Sequence, residues 1–228
     1  MKNLAKLVGA FALCSASLLS QASFIASGEI QSLYDSGNKV GSSVDKWYFT
    51  VGSDSEILID VLSWESDEEG RASDDGFPEA VDLNEDGEFT FIDSFIYLFF
   101  DDGELSADDL IDFNDDSEET YNDGSLFSAD SFLSADLFAG NYILAIGAAD
   151  PFDGLSIEAA ISGTSSNIDF PVSCDVDPFF GCFFQSSDTG DYRVTFTGDV
   201  TQQVEVSEPW MLSLFGLGLL ILIKRQRR

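Results

Sequence analysis

The chain has 228 residues, with 42 Asp and Glu, 10 Lys and Arg and no His, for a formal net charge of −32. That balance excludes nucleic acid as a partner and favours divalent cations, while the missing His removes Ser-His-Asp, Cys-His and His-ligated zinc chemistry. An apolar fraction of 44% with 21 Phe is too rich for a disordered chain and implies a folded interior beneath an acidic surface.

Lys2 and Lys6 precede an apolar run from Leu7 to Leu19, which Ser20-Gln21-Ala22 closes. A charged start, an apolar stretch of this length and a small-x-small site read as a signal peptide over 1–22, a helix removed on export. Cys14 is discarded with it, and Leu13 in front of Cys14 argues against lipid attachment. From residue 23 to 208 only Lys39, Lys46, Arg71 and Arg193 face all 42 acidic residues, which leaves a formal −38. The length fits one acidic domain over 23–205.

Within it, apolar runs recur between Gly, Asp, Asn and Ser and predict strands over 24–33, 44–51, 56–63, 89–100, 131–138, 141–149, 155–161 and 192–200. Trp47, Phe49 and Val51 alternate with Tyr48 and Thr50; Ile57, Ile59 and Val61 alternate with Leu58 and Asp60. Tyr192, Val194 and Phe196 stand opposite Arg193, Thr195 and Thr197. No sustained 3.6-residue apolar stripe interrupts this, so the expected fold is all-β, an antiparallel β-sandwich. Ser-Ala-Asp at 106–108, 128–130 and 134–136 has no constant period and does not predict a solenoid.

After an acidic stretch over 65–79, residues 82–93 carry the most specific internal signal. Asp82, Asn84 and Asp86 occupy positions 1, 3 and 5 of a cation loop. Gly87 sits where a sharp turn is needed, Glu88 offers its carbonyl, and Asp93 closes the loop at position 12. Hard Ca²⁺ takes such oxygen sets, so these five ligands predict a Ca²⁺ site; the alternative is an acidic turn in an Asp-rich chain. Asp112, Asn114 and Asp116 alternate and offer a second cation cluster. Cys174 and Cys182, in an exported chain with no third partner, predict a disulfide across an acidic loop. Phe179, Phe180, Phe183 and Phe184 around it form a candidate exposed contact patch, whereas Trp47 and Trp64 read as core.

The chain ends in Ser207-Glu208-Pro209, an uncharged run of 14 residues over 210–223, and Lys224-Arg225-Gln226-Arg227-Arg228. The basic end holds the cytoplasmic side of a membrane, and the run is shorter than the roughly 17–25 residues of a comfortable span. A short transmembrane helix and a removable sorting signal are the two alternatives.

Val206-Ser207-Glu208-Pro209, the Leu/Gly-rich run 212–220 and the Arg-rich end resemble the PEP-CTERM sorting signal of Gram-negative bacteria, with Ser in place of the usual first Pro. The resemblance implies recognition near Glu208-Pro209 by an exosortase, transient anchoring through 210–223, and a surface or extracellular-matrix destination often linked to exopolysaccharide. A second resemblance spans most of the domain. Trp47-Tyr48-Phe49, Asp93-Ser94-Phe95-Ile96-Tyr97-Leu98, Asn114-Asp115-Asp116, Leu137-Phe138-Ala139-Gly140-Asn141-Tyr142 and Gly190-Asp191-Tyr192-Arg193-Val194 follow one another as in the bacterial pre-peptidase C-terminal family. It implies a jelly-roll-like sandwich acting as an accessory or binding module, often with calcium in its loops; the stretches 65–79 and 163–188 depart from the pattern.

The sequence thus predicts an exported, non-catalytic surface protein with a Ca²⁺-stabilised acidic domain. The alternative is a secreted glycan-acting hydrolase that uses a carboxylate pair.

Overall fold

In the computed structural model the described residues are 23–65, 87, 89–116, 130–150, 154–177 and 181–203, with side chains described outside 174–182. The signal peptide, most of the acidic stretch and the C-terminal signal lie outside them, so helices over 1–22 and 210–223 are not described. No helix among the described residues is long and apolar enough to cross a membrane.

Thirteen strands carry the described fold: β1 (Ser23–Asp35), β2 (Asn38–Val51), β3 (Ser55–Leu62), β4 (Thr90–Phe91), β5 (Ser94–Phe100), β6 (Leu110–Asn114), β7 (Phe132–Leu137), β8 (Gly140–Ala148), β9 (Thr164–Ser165), β10 (Val172–Asp177), β11 (Gly181–Ser186), β12 (Thr189–Thr197) and β13 (Val200–Gln202). Every pairing is antiparallel. The large sheet runs β6-β5-β8-β2-β1-β12-β3-β7, with β13 and β9 attached to β2, and a small sheet runs β11-β10-β4. The two outer strands of the large sheet return towards each other, where the Phe132 N–H donates to Asn114 Oδ1 at 2.9 Å. The sheet is nearly closed.

Period-2 patterning explains the inner face. Ile57, Ile59 and Val61 on β3 and Tyr192, Val194 and Phe196 on β12 are buried, as their alternation predicts, and meet Phe49, Val51, Ile96, Leu98, Tyr142 and Leu144. Phe49 and Phe196 pack with ring centroids 5.1 Å apart. A Tyr192 side chain this deep needs partners for its hydroxyl. It donates to Asp45 Oδ2 (2.8 Å) and accepts from Trp47 Nε1 (2.7 Å). Gly28 allows that approach, because a Cβ there would lie 2.3 Å from the Tyr192 hydroxyl.

β5 and β8 are apolar on both faces, which a sheet with one wet side would not tolerate. Their outer residues Phe95, Tyr97, Phe99, Ile143 and Ala145 pack beneath Ala149, Leu155, Ala159 and Ala160. That cover corrects one expectation: 155–161, predicted as a strand, contains instead the helix α1 (Ile157–Ser162). Ser156 caps it by accepting from the Ala159 N–H (3.2 Å), and Gly163 ends it with φ 85°. At six residues it is too short to show a helical period in sequence. The expected strand 89–100 is also broken: β4 pairs with β10 in the small sheet and β5 with β8 and β6 in the large one. Ile92 and Asp93 make the crossing.

Candidate cation centre

Asp93 stands at that crossing, where its carbonyl accepts from the Ala149 N–H at 2.6 Å. β5 and β6 pair with Ile96 opposite Asn114, which brings the residues just after β6 alongside those just before β5. Ser131 ties the two together. Its N–H donates to Ser94 Oγ (2.9 Å), while its hydroxyl lies 2.7 Å from the Asp115 carbonyl and 3.3 Å from that of Asn114. The hydroxyl has one proton to give, so at most one of these carbonyls receives a full bond at a time.

The result is a convergence of Asp93, Asp115 and Asp116, each with a carboxylate oxygen within 4.8 Å of the others. Oδ1 of Asp93 and Oδ1 of Asp115 are buried and accept no hydrogen bond. Burial, then the neighbouring charges of Asp115 and Asp116, push the Asp93 carboxyl up from 3.8 to about 7. Burial and then Asp116 raise Asp115 to about 6. Water-poor, mutually repelling carboxylates with unmet acceptor oxygens are what a hard divalent cation relieves. The residue set passes that chemical test, and Asp93, Asp115 and Asp116 are the residues that could hold such an ion.

Of the predicted loop, Asp82, Asn84, Asp86 and Glu88 lie outside the described residues. Gly87 has φ 92°, the backbone state that a Gly at the turn position supplies. Asp93 stands in an acidic centre with Asp115 and Asp116, of which Asp116 comes from the second predicted cluster. That cluster is divided. Asp112 Oδ1 accepts from the Phe113 N–H (2.9 Å) and Asn114 Oδ1 is occupied by Phe132, leaving Asp116 as its member at the centre. Asp115 was missed: in a chain with 42 acidic residues, a second Asp beside Asp116 carries no signal until strand pairing brings it to Asp93.

The cysteines fall on one hairpin. Cys174 pairs with Phe184 and Cys182 with Val176, so they stand two residues out of direct opposition on neighbouring strands. Diagonal positions of this kind are roughly 7–8 Å apart at Cα, beyond the roughly 4.4–6.8 Å that a disulfide usually spans, so bonding them requires the two strands to shift. Phe183 and Phe184 are half-exposed; Phe184 also packs against Trp64 and Phe91. Trp47 packs against the main core.

No protein-family model matches the chain, and no curated protein matches its sequence.

Proposed function

We propose that the chain is an exported, non-catalytic surface or matrix protein whose acidic β domain, a jelly-roll-like sandwich, is stabilised by Ca²⁺. The observation that carries this is the convergence of Asp93, Asp115 and Asp116 with two buried, unsatisfied carboxylate oxygens. When bound, the cation supplies positive charge that cancels their repulsion. The chain's part is to hold the three carboxylates together through the β5–β6 pairing and Ser131, and to keep water scarce around Asp93. Asp82, Asn84, Asp86 and Glu88, five to eleven positions upstream of Asp93 on the same chain, are the natural source of further oxygen ligands.

In the same proposal the N-terminal 22 residues are cleaved on export, and Ser207-Glu208-Pro209 with 210–228 form a PEP-CTERM-type signal processed by an exosortase. The delivered protein belongs to an exopolysaccharide-bearing surface. The test has two parts. Ca²⁺ at millimolar concentration raises the thermal midpoint, and an unchanged midpoint ends the calcium reading. Intact-mass measurement of surface-released protein reports both cleavages, with a further loss of two hydrogens if Cys174 and Cys182 are bonded. A surface protein that still carries 210–228 ends the sorting reading.

A further inference from the structure

The small sheet and the start of β12 border an open cleft of about 440 Å³, comparable in volume with the roughly 300–1,000 Å³ of small-molecule sites. Phe89, Thr90, Ser173, Ser186, Asp188 and Thr189 line it. The side-chain hydroxyls of Ser173, Ser186 and Thr189 make no hydrogen bond with the described residues. The wall that carries them is nonetheless fixed. The Ser187 N–H donates to the Pro171 carbonyl (3.1 Å), Ser32 Oγ donates to the Ser187 carbonyl (2.7 Å), and the Tyr34 hydroxyl donates to Asp188 Oδ1 (2.6 Å).

An aromatic surface continues the cleft. Thr90, Ser173 and Gln185 are directly opposite across β4, β10 and β11 and so share one face. Phe183, two residues along β11 from Gln185, lies on that same face and is 52% exposed. Among the described residues no Lys or Arg lines the cleft, and the chain's net charge of −32 repels polyanions. Hydroxyl lining is equally unsuited to an apolar guest. Free hydroxyls that both give and accept, one oriented carboxylate and a half-exposed aromatic ring fit a polyhydroxylated, uncharged ligand.

We propose that this cleft and the Phe183 face bind a neutral oligosaccharide. Ser173, Ser186, Thr189 and Asp188 take its hydroxyls, and Phe183 stacks on the C–H face of a neighbouring sugar. The proposal goes beyond the calcium and sorting readings and does not depend on either.

The test titrates the full chain calorimetrically with neutral hexasaccharides of glucose, mannose, galactose and xylose, with polygalacturonate as the anionic control. At least one neutral probe binds saturably and polygalacturonate does not. Phe183→Ala weakens that binding about five- to tenfold, the loss of one aromatic contact. Ser186→Tyr, an exposed position whose substitution fills the cleft, removes it while melting as the parent does. Absence of saturable binding to every neutral probe, equal binding of polygalacturonate, or parental affinity in both variants overturns the proposal. Repeating the titration in EDTA separates the claims: glycan binding without any thermal response to Ca²⁺ sinks the calcium reading alone.

Discussion

Replacing Asp93 by Asn has opposite consequences with and without a divalent cation. Without one, the folded state resists ionising Asp93, whose carboxyl is raised from 3.8 to about 7. Between those values the native protein binds a proton that the unfolded chain has released. Stability therefore falls as pH rises from about 4 to about 7 and levels off above. For a fully dry carboxyl that displacement corresponds to about 4 kcal/mol. Asp93 retains solvent access, so screening reduces it to about 2 kcal/mol. Asp93→Asn removes the ionisation, so at pH 8 in EDTA the variant is more stable than the parent by about that amount. For a domain of this size the midpoint rises roughly 4–8 °C. At pH 4 the two melt together. With Ca²⁺ at a hundred times its dissociation constant the parent gains about 2.7 kcal/mol and overtakes the variant, which stays flat. Differential scanning calorimetry in EDTA and in Ca²⁺, at both pH values, reads all four cells. An Asn variant that is less stable than the parent in EDTA at pH 8, or that gains as much from Ca²⁺, refutes the reasoning.

Tyr192→Phe removes the hydroxyl that the partly buried Trp47 N–H and Asp45 Oδ2 share, and urea unfolding should show a loss of about 1–2 kcal/mol. Gly28→Ala pushes a methyl into the Tyr192 hydroxyl, 2.3 Å away, and should cost about 1–3 kcal/mol in the same assay; a neutral result would mean that β1 shifts freely against β12. Raising NaCl from 0.1 to 1 M shortens the Debye length from about 10 to about 3 Å and relieves the self-repulsion of a chain carrying −32. In EDTA the midpoint should climb steadily with salt, and a fall would mean that surface repulsion is not what limits stability.

Much of the large sheet was legible because burial on one face enforces alternation: Ile57/Ile59/Val61 and Tyr192/Val194/Phe196 are core positions as their pattern requires. The run 141–149 was legible as a strand, but its lack of alternation signalled something further, a cover over its outer face, and the cover is α1. Six residues with Ala159 and Ala160 at the centre look the same as a short buried strand until Ser156 and Gly163 are seen as caps. β6 was not legible for a different reason. Leu110, Ile111 and Phe113 are interleaved with acids, and only Phe113 stacking on Phe95 and Tyr97 reveals which side faces the sheet. At the acidic centre the sequence supplied Asp93 and Asp116 in two separate patterns. Their meeting depends on Ser131, more than fifteen residues after β6, and no local spacing encodes that.

The order of strands in space also sets a schedule. β1, the first strand described, runs beside β12 with Ile30 opposite Gly190, and β12 in turn feeds β3. β2 receives β13 only at residues 200–202. A ribosome or a translocation pore delivers these segments one after another, so the earliest strands wait for the last ones with their edges bare. Loop closure over such separations is slow, and bare edges invite pairing with other chains. A chain truncated before Thr189 would keep most of its apolar residues yet lose Tyr192, Val194 and Phe196 from the core, with the strand that joins β1 to β3. Residues 23–62, which hold β1 to β3, carry only six of the 42 acidic residues, so the charge that keeps one copy away from the next comes from the segments that follow them.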